Sequence, residues 1–195
     1  AIYNSTRAYP DRLMNLSETR SDNLYAVSDG GVRDWEGINS FHKTIASNPY
    51  AIEAWQTNFN GIFRVNNYLE QLAANGATAI SDVGLRNRME GEARFLRAFF
   101  YFDLIRYFGK VPLIDKVVSA SQAKNIGRGN LEDLYALIIE DLNKAISALP
   151  APSAYAATDR GRVNKYAAKM LLGLVYMTRS GPTLGIEGAG LNSNE

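Results

Sequence analysis

Residues 90 to 115 read Glu90-Gly-Glu-Ala-Arg94-Phe-Leu-Arg97-Ala-Phe-Phe100-Tyr-Phe-Asp103-Leu-Ile-Arg106-Tyr-Phe108-Gly-Lys110-Val-Pro112-Leu-Ile-Asp115. From Phe95 to Phe108, eleven of fourteen residues are apolar or aromatic, interrupted only by Arg97, Asp103 and Arg106. At 3.6 residues per turn, Arg86, Glu90, Arg94 and Arg97 form one charged stripe, while Asp103 and Arg106 point roughly the other way. A helix this apolar between two charged seams is packed on several sides, inside a multi-helix body. It is too short and too charged to span a bilayer. Gly109 ends it, and Pro112 forbids its continuation.

Outward from this stretch the pattern stays helical. Ile52, Trp55, Phe59, Ile62, Asn66 and Leu69 recur at three- and four-residue steps. Asn48 caps that helix, Pro49 takes its first position, and Asn75-Gly76 is expected to end it. The spacing predicts helices over 49–74, 81–108, 130–149 and 164–178. Leu131, Leu134, Ile138, Leu142, Ala145 and Leu149 form the inward edge of the third, and Ala167, Met170, Leu171 and Leu174 that of the fourth. Phe95, Leu96, Phe99, Phe100, Leu104 and Phe108 are expected to be largely buried, and Trp55 is read as core. Small residues at Ala93, Ala98, Ala167, Ala168 and Gly173 permit close crossing. The fold class is all-α, two antiparallel helix pairs (49–108 and 130–178); their spacing does not keep the strict 34-residue period of tetratricopeptide (TPR) repeats and by itself reads as a helical array. Residues 1–48 form an irregular, loop-rich segment, and 179–195 a loop tail.

Four segments in order carry a family resemblance: Trp55–Leu69 (WQTNFNGIFRVNNYL), the stretch from Gly91 to Ile114, Leu134–Pro150 (LYALIIEDLNKAISALP) and Gly161–Tyr176 (GRVNKYAAKMLLGLVY). Together they resemble the SusD/RagB-like proteins, lipid-anchored nutrient-binding proteins on the surface of Bacteroidetes. The resemblance implies TPR-like units and a non-catalytic surface receptor. Such a receptor captures glycans and hands them to a TonB-dependent outer-membrane transporter of the SusC type. It also implies an N-terminal lipid anchor upstream of Ala1, at the cell-surface face of the outer membrane. Family members are substantially longer, so the chain is expected to be one N-terminal helical domain of a longer protein. A solenoid cut between units leaves an apolar face uncovered along 130–178.

Composition narrows the alternatives. Lys plus Arg (21) balance Asp plus Glu (20) in 195 residues, which disfavours nucleic acid as a partner. Cysteine is absent, so disulfides and thiolate metal sites are excluded. The one histidine, His42, cannot by itself build a His-rich metal site and reads as a surface or capping residue. No cofactor or metal is expected: the glycine-rich run from Gly185 to Gly190 fits no phosphate-binding fingerprint. Glu90 and Glu92, two positions apart on a helix, face different directions and cannot share one glycosidic bond. The expectation is a protein that is not an enzyme.

The candidate binding residues lie in the polar segment Val32 to Ser40. A flat aromatic stacks on the C–H face of a sugar while neighbouring polar groups bond its hydroxyl rim. Trp35 supplies the ring, and Arg33, Asp34 and Asn39 the polar groups. Glycan-binding relatives carry similar residues in the loops before the Trp-bearing helix. The alternative function is a TPR-like scaffold that binds peptide or protein ligands in its groove. An exposed Trp35 favours sugar, a buried one the scaffold.

Overall fold

The computed structural model describes residues 2–7, 9–25, 33–41, 47–182 and 188–192. Among these the α-helices are α1 (Tyr9–Leu13), α2 (Asp34–Asn39), α3 (Pro49–Ala79), α4 (Val83–Phe108), α5 (Ala120–Ala123), α6 (Leu131–Ala148) and α7 (Lys165–Arg179). No strand forms among the described residues; Pro182 and Asn192 make an isolated bridge. Contacts divide the chain into two compact units, Tyr3–Asn60 and Gly61–Glu195.

The long helices begin where side chains satisfy the first free N–H groups. Asn48 accepts from Tyr50 N at 3.0 Å, Asp82 from Leu85 N at 3.0 Å and Asn130 from Asp133 N at 2.8 Å. Asn164 accepts from both Tyr166 N and Ala167 N. Gly109, at φ 64°, closes α4 with its N–H on the Ile105 carbonyl. That left-handed conformation is open to glycine at little cost. The expected stop at Asn75-Gly76 is not used. Asn75 bonds instead to Gln71 one turn back, Gly76 is buried, and its carbonyl accepts from Ile80 N, so α3 runs on to Ala79. A side chain at Gly76 would meet the end of the Leu72 side chain, one turn back on the same helix.

In the second unit the core is built on α4. Leu96, Ala98, Phe100, Tyr101, Phe102, Leu104 and Ile105 are buried, whereas Phe95, Phe99 and Phe108 are only partly so. The Phe100 ring packs against Gly61, where an added Cβ would come within 2.5 Å of it. α4 packs on α6 and α6 on α7. Ala168 joins Ala145 and Leu149 in a cluster flanked by Phe95, Ile146 and Val163.

Two expected faces are corrected. Trp55 is 37% exposed and Ile52 is exposed as well, because α3 buries Ala54, Asn58, Ile62, Val65 and Asn66, a stripe of smaller and polar residues. On α7 the inward residues are Ala168 and Val175, about one position round from the expected stripe, and Met170 is 78% exposed. The small Ala168 allows the close approach to α6 that Met170 would prevent. Gly173, expected at a crossing, faces open space.

Candidate functional site

The first unit holds the four candidate binding residues on and beside α2, so Trp35 sits on a short helix rather than in the expected loop. Arg33 is the residue before it, in extended conformation, and its guanidinium lies 5.9 Å from the centroid of the half-buried Trp35 ring. That distance is within the range of a cation–π contact. Asp34 is exposed; its carbonyl accepts from Asn48 Nδ2 at 2.7 Å. Burial, then the nearby carboxylates of Asp11, Asp34 and Glu53, raise the Tyr50 hydroxyl above its ordinary range. Asn39 donates from Nδ2 to the carbonyls of Thr19 and Leu24, both at 2.8 Å. This amide clamps the segment 19–24 onto α2. Glu36, which the sequence did not single out, has an enclosed Oε1 with no hydrogen-bond partner among the described residues. Val32 and His42 lie outside the described residues, as do residues 183–187 of the glycine-rich tail.

The second unit contains a polar network that the charged stripe of α4 only partly announced. Arg97, buried, grips Asp141 of α6 with two bonds, Nε to Oδ2 at 2.6 Å and Nη2 to Oδ1 at 2.9 Å. Its Nη1 donates to Asn66 Oδ1 and to the Asp115 carbonyl, both at 2.9 Å. Asn66 in turn donates to the carbonyls of Ile114 and Lys116. Tyr101 both accepts from Ile114 N and donates to the Ile114 carbonyl. Arg94 bridges Glu90 at 2.7 Å and Asp141 at 3.0 Å. These bonds join α3, α4, α6 and the chain after α4, a bracing role. A signal for Asp141 was present: it shares the apolar edge of α6 with Ile138, Leu142 and Ala145, where a lone carboxylate needs a cation.

Glu92 and Glu90 do part company, as their spacing requires. Glu92 pairs with Arg162 at 3.0 Å, Arg162 with Asp159 at 2.7 Å, and Asp159 with Arg88 at 2.9 Å. Hydrogen bonds from Arg88 and Arg162 hold Asp159 below the usual carboxylate range. Glu90 lines a groove of about 850 Å³ between α4 and α6, with Asn87, Arg94, Asn143 and Lys144. Among the described residues no cluster could hold a metal ion, and no helix is long and apolar enough to cross a membrane.

A family model described as starch-binding and associating with the outer membrane, of the SusD-like group, matches residues 3–177. The chain belongs to the SusD-like family. A SusD-like protein of Bacteroides ovatus is 31% identical over 131 residues, 66% of this chain and 22% of that protein. A solved SusD-like carbohydrate-binding protein from Bacteroides fragilis is 32% identical, with a TM-score of 0.69 over 77% of this chain and 28% of that one. A structure solved with a xylogluco-oligosaccharide is 26% identical, with a TM-score of 0.70 over 94% of this chain and 33% of that one. The SusD-like neighbours share the all-α, TPR-like architecture. The chain spans 22% to 33% of the length of the curated relatives it matches.

Proposed function

We propose that this chain is the N-terminal helical part of a non-catalytic surface receptor. The receptor captures an oligosaccharide and passes it to a SusC-like TonB-dependent transporter at the outer membrane, to which a lipid anchor tethers it. The observation that carries the reading is family membership over residues 3–177, joined to carbohydrate binding in a relative of 32% identity. Within the first unit, the Arg33–Trp35 pair beside Asp34 and the clamped Asn39 supports a sugar-contacting role for these four residues. An aromatic ring with polar side chains on and beside the same short helix suits a sugar, which has one apolar face and a hydroxyl rim. Electrophoresis of the full-length protein through gels containing starch, xyloglucan or other polysaccharides tests this. Retardation by at least one, with the polysaccharide uncut, is expected; free migration through all of them contradicts it.

The groove between α4 and α6 favours a second reading, a scaffold that binds an extended peptide. Asn87 and Asn143 on its two walls offer carboxamides that match a peptide backbone. Calorimetric binding of peptides, with no retention by any glycan, would select it.

A further inference from the structure

We propose that Phe41, with Arg20 against its ring, is a second sugar-stacking residue of the first-unit site. The inference rests on the glycan-binding reading above and extends it to residues outside the Arg33–Asn39 segment. Phe41 follows α2 directly: its N–H bonds to the Ile38 carbonyl at 3.3 Å, and Ser40, the residue before it, donates from Oγ to the Glu36 carbonyl. Two features set Phe41 apart at the position that ends α2. Its side chain is 62% exposed, so little apolar surface leaves water. Its backbone stands at φ 53°, a left-handed conformation that glycine or asparagine adopts far more readily than a bulky residue. Single exposed phenylalanines are ordinary, and single positive-φ residues occur in turns. An aromatic that combines both holds a strained backbone to display a ring, the pattern of a binding position.

The ring is also furnished with a partner. The Arg20 guanidinium lies 5.3 Å from the Phe41 centroid, within cation–π range. Arg20 is exposed and adjoins Thr19, whose carbonyl is held by Asn39 at 2.8 Å. The clamp that orders the segment 19–24 on α2 therefore also sets Arg20 beside Phe41. Arg33 and Trp35 repeat the arrangement at the other end of α2. In each pair a flat apolar face meets a planar group with several N–H donors. A pyranose stacks its C–H face on the free side of the ring, while the guanidinium covers the opposite side and holds the ring in place.

The test separates display from packing. In the full-length protein, Phe41→Gly and Phe41→Asn relieve the backbone conformation, so the melting temperature stays level or rises. Affinity for the oligosaccharide of whichever polysaccharide retards the wild type falls about five- to a hundredfold, the scale of one lost aromatic stack. Arg20→Ala weakens binding by a smaller factor. Unchanged affinity in both Phe41 variants overturns the inference while leaving glycan binding intact. A lower melting temperature in both also overturns it, because Phe41 is then a packing residue. A wild-type protein that binds no glycan removes the parent reading and this one with it; Trp35→Ala, measured alongside, reports on the parent site alone.

Discussion

Replacing Arg97 with methionine perturbs the centre of the second unit. Methionine fills most of the volume but donates nothing. Asp141, with its side chain 1% exposed, then keeps a single cation, Arg94, whose Nη1 reaches one of its oxygens at 3.0 Å. Four bonds vanish: two to Asp141, one to Asn66 and one to the Asp115 carbonyl. Breaking a buried ion pair by removing one member costs about 3–5 kcal/mol, mostly because the remaining charge is stranded. The surviving Arg94 contact puts the expectation at the lower end. For a unit of this size, each kcal/mol moves the melting temperature roughly 2–4 °C, so a fall of about 6–12 °C is expected. Scanning calorimetry on the full-length protein measures it. The double variant Arg97→Met with Asp141→Leu should recover most of the loss, since neither charge is then stranded. A loss under about 1 kcal/mol for Arg97→Met, or no recovery in the double variant, would refute the bracing role.

Phe100→Ala should cost about 3–5 kcal/mol, because the ring is fully buried and sits on Gly61; Gly61→Ala should also destabilise, and chemical denaturation of both checks this. Burial pushes the Tyr135 hydroxyl up to about 12 from 10.0, and that of Tyr101 in the same direction. The folded state then keeps protons that the unfolded chain releases, so stability is intact below about pH 10 and falls as pH rises towards 12. Melting temperatures between pH 9 and 11 should drop more steeply for wild type than for Tyr135→Phe. Tyr166, Met170, Leu174 and Met177 form an exposed apolar stripe on α7. Residues 1–195 expressed alone should bind an apolar dye, less so as Met170→Lys with Met177→Lys, and a dye-silent wild-type chain would oppose this.

Much of the fold was legible because capping chemistry is local. Asn48, Asp82, Asn130 and Asn164 announce their helices within three residues, and Gly109 ends α4 as its position suggests. Asn75-Gly76 misled because a glycine can also sit within a helix, and nothing local distinguishes the two positions. Trp55 and Met170 misled for a related reason: periodicity finds a face but not its phase, and small residues such as Ala54 and Ala168 won the contact. The Arg97–Asp141 pair is visible only as two charges on apolar edges until the helices meet. In the candidate site the residue types around Trp35 could be read, whereas the Asn39 clamp and the left-handed Phe41 depend on backbone geometry that no spacing encodes.

Isothermal titration of the full-length protein and its Trp35→Ala variant with an oligosaccharide of the retained polysaccharide tests the central claim most directly. One stacked ring and a few rim hydrogen bonds predict saturable binding between about micromolar and millimolar, weakened roughly five- to a hundredfold in the variant. The oligosaccharide should be recovered intact from the cell. Equal affinities would remove Trp35 from the site, and shortened sugar in the wild-type mixture would contradict a non-catalytic receptor.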